Sequence, residues 1–149
     1  MNYLKLLSLS LCILFCSTII AQSDNGKSDI EEISATLIDY IEGTANGEPE
    51  RLHKAFHPEF NLYTVTEEDS LRIRSGKKYI ANVKEGKKSN RVGRILSIDV
   101  EKDAAMAKVE IVMPGWRIYT DYFLLLKYEG SWKIVQKSYT WREIPAKNK

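Results

Sequence analysis

Two histidines, His53 and His57, stand four residues apart. On one continuous helix that spacing would turn both imidazoles to the same side, where they could share a metal ion. Ala55 and Phe56 between them supply no acidic base of the metalloprotease kind. Pro58 also ends any helix at His57, because the residue before a proline is pushed out of helical geometry. No metal site is expected. Asp121 is the obvious acid-base candidate, but such a role needs geometry first and a tuned environment second. The hairpin that carries it sets Lys137 opposite, and a cross-strand ion pair is the simpler reading. No glycine-rich phosphate loop, nucleophile elbow or redox pair is present, so neither a cofactor nor an assigned catalytic residue is expected.

The element that must position these groups is Arg117–Trp141, which predicts two long strands and a tight turn at Tyr128-Glu129-Gly130. Gly130 can take the left-handed conformation that closes a three-residue loop with a bulge. That loop sets Leu126 against Trp132, Leu124 against Ile134, Tyr122 against Gln136 and Asp121 against Lys137. A two-residue loop at Glu129-Gly130 would instead set Leu125 against Ile134. The first register is preferred because it gathers Leu124, Leu126, Trp132 and Ile134 on one face and pairs Asp121 with Lys137. Thr120, Tyr122, Gln136 and Ser138 continue that face toward its open end. The opposite face carries Tyr119, Phe123, Leu125, Val135, Tyr139 and Trp141. A two-layer domain needs only one apolar sheet face, so the second asks for a cover of its own. A second copy of the chain is the expected cover, giving a homodimer through Phe123, Leu125, Val135, Tyr139 and Trp141.

The 149 residues suffice for one domain with a sizeable core, and a 44% hydrophobic content excludes a disordered chain. Net charge is only +2, and the aromatics are not interleaved with a basic stripe, so a nucleic-acid binder is not expected. The basic run Lys84, Lys87, Lys88, Arg91, Arg94 reads as a solvated helix end and loop. Residues 1–21 read as a signal peptide: Lys5 is basic, 6–20 are apolar, and Ala21 offers a small residue for cleavage. The segment is too short, and too soon followed by polar residues, for a membrane span. Cys12 and Cys16 both lie inside it, so the mature chain has no thiol chemistry.

Residues 22–29 are a polar lead-in. Ser28 to Glu31 forms a capping box, followed by Ile30, Ile33, Leu37 and Ile41 at helical spacing with Tyr40 beside them. Gly43 and Gly47 mark the end of that helix. Pro49 opens a short helix to about Phe56. Phe60–Thr66 and Leu71–Arg74 read as a small hairpin, and Ser75 as the cap of a third helix to about Glu85. Strands follow over Arg91–Glu101 and Ala104–Met113, then the long hairpin, with a polar tail at 146–149. Helices first and strands afterwards give an α+β domain over residues 30–145.

This order, with Asp39-Tyr40-Ile41-Glu42-Gly43, Ala55-Phe56-His57-Pro58, Thr120-Asp121-Tyr122, Leu125-Leu126-Lys127, Gly130 and Trp132-Lys133-Ile134-Val135, resembles the putative lumazine-binding family of the NTF2-like superfamily. The resemblance implies a cone, with a curved antiparallel sheet packed on about three N-terminal helices around a cavity. It implies a small-molecule ligand, met by Tyr40, His57, Thr120, Tyr122, Gln136 and Ser138. Three functions stay open: a non-catalytic binder of a small, possibly aromatic molecule; an isomerase or dehydratase using Tyr, His and Asp; and a dimerisation module with a filled cavity. The leader predicts a secreted or periplasmic protein whose intact mass begins near Gln22. A mature form starting at a lipid-bearing Cys16 would contradict it.

Overall fold

The computed structural model describes residues 27–145. The expected leader and its cleavage site, most of the lead-in and the tail lie outside the described residues. The elements run α1 (Asp29–Asn46), α2 (Pro49–Ala55), β1 (Phe56–Val65), β2 (Leu71–Ser75), α3 (Gly76–Ala81), β3 (Val92–Glu101), β4 (Ala104–Met113), β5 (Arg117–Tyr128) and β6 (Ser131–Glu143). The domain is an α+β cone whose six strands lie in the order β2-β1-β6-β5-β4-β3.

α1 starts where the capping box places it. The Ser28 hydroxyl accepts from the Glu31 amide, and the Ser28 amide donates to the Glu31 carboxylate at 2.8 Å. Its inward stripe of Ile33, Leu37, Tyr40, Ile41 and Thr44 is buried at a spacing of three and four. Gly47 ends it with φ of 69°, a conformation that costs little only without a side chain. Asp39 then ties the next turn of chain to the helix, accepting from Arg51 at 3.0 Å and pairing with Lys54 at 2.7 Å. Phe56 and Phe60 stack at 3.9 Å between their centroids and close one side of the core.

The sheet is mixed, where an antiparallel one was expected. β1 runs parallel to β6, and the other neighbouring pairs are antiparallel. A parallel pair needs a long crossover, and more than half of the domain lies between these two strands. α3 is also shorter than expected, ending at Ala81. The loop after it is held to the end of α1 by Gly86 N–H donating to the Gly47 carbonyl at 2.8 Å and Ser89 N–H to Ala45 at 2.7 Å.

The β5–β6 hairpin departs most from expectation. Glu129 and Gly130 both have positive φ, 48° and 75°, and form a two-residue turn of type I′ between paired Tyr128 and Ser131. Leu125 therefore faces Ile134, which is the register the three-residue loop would have excluded. One residue further the register shifts, so that Leu124 faces Gln136 and Val135 is the extra residue of a bulge. Beyond the bulge Lys137, Tyr139 and Trp141 share the concave face with Tyr119, Asp121 and Phe123.

This corrects the expected dimer surface. Phe123 and Leu125 are 2% and 0% exposed and belong to the core under the helices. Tyr139 and Trp141 line the cavity described below, and Val135 is the bulged residue. The face expected to need a second copy is covered by the chain's own helices. Outward instead point Thr120, Tyr122, Leu124 and Leu126, opposite Thr140, Ser138, Gln136 and Lys133.

Candidate functional site

α1 and the two long strands bring three polar side chains together inside the cone. Tyr40 comes from the inward stripe of α1, Asp121 from β5 and Lys137 from β6. The Tyr40 hydroxyl donates to Asp121 Oδ2 at 2.6 Å. Lys137 Nζ donates to the Tyr40 oxygen at 2.6 Å and pairs with Asp121 Oδ2 at 2.8 Å. The side chains of Lys137 and Asp121 are 7% and 1% exposed, so both charges have left water. The expected Asp121–Lys137 pair does form, but on the inner face rather than the outer one. The two residues are diagonal neighbours, because Asp121 faces Tyr139 and Lys137 faces Phe123.

Desolvating two charges is costly, and the geometry offsets that cost. The rings of Tyr40, Tyr139, Tyr79 and Phe123 stand 4.7, 5.4, 5.7 and 5.7 Å from Lys137 Nζ and present π-electron density to the cation. Burial, and next the charge of Asp121, push the Tyr40 hydroxyl well above the ordinary phenol range. Tyr40 is thus a protonated donor. Among the described residues Asp121 Oδ1 is buried without a hydrogen-bond partner, leaving one free acceptor in the cluster.

Above this cluster lies a cavity of about 490 Å³. Tyr40, Asp121 and Lys137 contribute to its inner end, and Tyr79, Tyr119, Tyr139, Trp116 and Trp141 to its walls. Arg72, Arg74, Arg91 and Arg117 also line it, with Glu67 and Glu68 from the β1–β2 turn. The Arg117 guanidinium stacks 3.5 Å from the centroid of Trp141, and Arg74 stands 5.6 Å from both Tyr79 and Tyr139. Among the described residues, none of these four arginines forms a salt bridge to a carboxylate.

Of the residues the sequence suggested for a ligand, Tyr40 lines this cavity. Thr120, Tyr122, Gln136 and Ser138 lie on the outer face of the sheet, with Tyr122 exposed, because the turn and bulge reverse the predicted facing. His57 lies apart from the cavity, edge-on to Tyr128 at the hairpin turn, its Nδ1 accepting from the Glu59 amide at 3.2 Å. Neither histidine joins the tyrosine and aspartate, so the expected Tyr/His/Asp constellation is instead Tyr/Lys/Asp. Among the described residues no group of three or more His, Cys, Asp or Glu side chains is arranged to hold a metal. The sequence reading missed Tyr79, Tyr119, Tyr139 and Trp141 as wall residues. A two-residue turn at Glu129-Gly130 was the signal available for Tyr119, whereas Tyr139 and Trp141 depend on the bulge at Val135 and Tyr79 comes from α3.

The buried pair makes a direct prediction. Lys137→Met should cost about 3–5 kcal/mol in urea unfolding, because it leaves the Asp121 carboxylate buried without its cation. Adding Asp121→Asn should recover a large part of that loss. Strictly additive losses in the double variant would show that the two groups are not coupled.

Comparison with known proteins places this geometry. A family profile described as "Putative lumazine-binding" matches residues 28–140. An NTF2-like protein of unknown function from Silicibacter pomeroyi DSS-3 superposes with a TM-score of 0.67 at 27% identity, over 76% of this chain and 95% of that one. Another from Methylobacillus flagellatus KT gives 0.68 at 27% identity, over 80% and 96%. Among curated proteins, the aldolase FrzH of a Cladobotryum species is 26% identical over 114 residues, 74% of this chain and 90% of that protein. With the profile spanning most of its length and the cone shared with solved relatives, this chain belongs to the putative lumazine-binding family of NTF2-like proteins.

Proposed function

We propose that this protein binds a small, planar, anionic organic molecule in the cone cavity. The observation that carries the reading is the lining itself, in which four arginines, none in a salt bridge among the described residues, stand among six aromatic side chains. Flat rings favour a flat ligand, and a guanidinium fork suits a carboxylate or phosphate. The family description supports a small-molecule ligand. The volume of about 490 Å³ falls within the range of small-molecule sites. Export through the leader at residues 1–21 completes this reading and would place the protein outside the cytoplasm. Titration with aromatic carboxylates should quench the fluorescence of Trp116 and Trp141. Arg117→Gln should weaken the tightest of them by about 1.5–3 kcal/mol. Unchanged affinity in that variant would remove the arginines from recognition.

A catalytic reading is favoured by one specific observation, the buried Tyr40–Asp121–Lys137 cluster at the inner end of the same cavity. A protonated phenol beside a carboxylate with a free oxygen is equipped to give and take a proton at a bound ligand. A relative named an aldolase is consistent with such work on carbonyl compounds. The isomerase or dehydratase alternative survives in this altered form, with lysine standing in the place expected for histidine.

We also propose a homodimer, through the outer sheet face rather than the inner one. Met106, Tyr122, Leu124 and Leu126 are 61%, 47%, 40% and 41% exposed there, and register puts Leu124 beside Met106. A contiguous patch of this kind is the usual mark of an interface. Leu124→Lys should convert a sedimenting dimer at micromolar concentration to a monomer while leaving ligand quenching intact. A wild-type monomer would refute the interface.

A further inference from the structure

We propose that Lys137 forms a covalent imine with an aldehyde or ketone whose planar frame also carries a carboxylate. The inference rests on the cavity-binding reading above and adds to it a reaction, a nucleophile and a substrate class.

Lys137 is unusual among the lysines because its amine is buried and lines a cavity. Two of its hydrogen-bonding directions go to Tyr40 and Asp121, at 2.6 and 2.8 Å, which leaves a third free. An ammonium must lose a proton before its nitrogen can attack, and Asp121 Oδ2 stands at hydrogen-bond distance to take it. Moving that proton removes two buried charges at once. The amine lone pair then attacks the carbonyl carbon. A C–N bond forms, and the carbonyl π pair moves to oxygen. The added nitrogen loses a proton and the oxygen gains one, with the Tyr40 hydroxyl placed to relay it. Asp121 returns its proton to the departing hydroxyl, which leaves as water. The balance is ammonium plus carbonyl giving iminium plus water, and no oxidant or reductant is needed.

The surroundings favour the product as well as the attack. The iminium nitrogen is cationic, as the ammonium was. It keeps the carboxylate of Asp121 and the faces of Tyr40, Tyr79, Phe123 and Tyr139 as neighbours. Burial also slows hydrolysis, which dismantles the imines of surface lysines in water. The arginines that stand elsewhere around the cavity fix the second requirement. A carboxylate held by Arg117 or Arg74 would orient the carbonyl inward.

4-Carboxybenzaldehyde combines a flat ring, a carboxylate and an aldehyde, and is the probe of choice. The wild-type protein is incubated with it and sodium cyanoborohydride, and the reduced adduct is located by peptide mass mapping. Lys137 should be labelled about tenfold faster, or more, than any exposed lysine, as expected for a positioned reactant. Excess 4-methylbenzoate, which carries the ring and carboxylate without the carbonyl, should suppress that labelling. Labelling confined to surface lysines would overturn the inference. If 4-methylbenzoate still quenches tryptophan fluorescence in that case, the binding reading stands and only the imine falls. If it neither quenches nor competes, and Lys137 stays unlabelled, both fall.

Discussion

One extra residue in β6 decides what the inside of this protein contains. Between the turn and Val135 the inward side chains of β6 are Trp132 and Ile134, both of them core. The bulge at Val135 advances the strand by one position, so the next inward residues are Lys137, Tyr139 and Trp141. Without it, the alternation of the pleat would carry Gln136, Ser138 and Thr140 into the cone. Lys137 would then face solvent, and Asp121 would be a lone buried carboxylate. A bulge also increases local twist, which suits a sheet that must wrap around a helix. The same irregularity therefore divides the long hairpin into an apolar half under α1 and a polar and aromatic half around the cavity.

The half around the cavity combines a paired interior with a lining whose arginines form no salt bridge among the described residues. Inside, each charge has a partner: Lys137 with Asp121, both tied to Tyr40, and four aromatic faces around the amine. Such a cluster can exist out of water because its members satisfy one another, with Asp121 Oδ1 left over among the described residues. Elsewhere in the cavity, Arg72, Arg74, Arg91 and Arg117 have no carboxylate within salt-bridge reach among the described residues. Arg117 is held by ring stacking on Trp141, and Arg74 stands at cation–π distance from Tyr79 and Tyr139. Stacking fixes a guanidinium in place while leaving its hydrogen-bonding edge free. That arrangement suits recognition of an anion more than stabilisation of the fold.

The helical layer shows how local chemistry carries over into structure. Asp39 is nearly buried on α1 and is reached by Arg51 and Lys54 from the next helix. Asp29, at the first turn of α1, accepts from Trp132 Nε1 at 2.9 Å and from Lys127 at 2.8 Å. The helix is thus anchored at one end to α2 and at the other to the long hairpin. Tyr40, one residue beyond the Asp39 anchor, is held against Phe56 and Phe123 with ring centroids at 5.8 and 5.0 Å. A hydroxyl positioned this firmly can serve as a fixed donor.

Elements built on local rules were legible in the chain itself. The capping box and the apolar spacing of α1 specify its start and inner face, and Gly47 its end. Pro49 opens α2, and the runs of β-branched and aromatic residues outline all six strands. The ion pair between Asp121 and Lys137 was legible too, as was Tyr40 as a cavity residue. What the chain did not determine by itself was which face of the long hairpin turns inward. Both faces are apolar, so alternation carries no preference, and either turn at Glu129-Gly130 gives a plausible set of partners. The choice fell to the tertiary structure. α1 and the strands beside the hairpin can cover only one face, and the better fit puts Phe123 and Leu125 beneath them. Two residues with positive φ close the turn, and a bulge at Val135 restores contact further along β6. Such a choice depends on the packing of distant segments, and it moved Thr120, Tyr122, Gln136 and Ser138 outward as Lys137, Tyr139 and Trp141 came in.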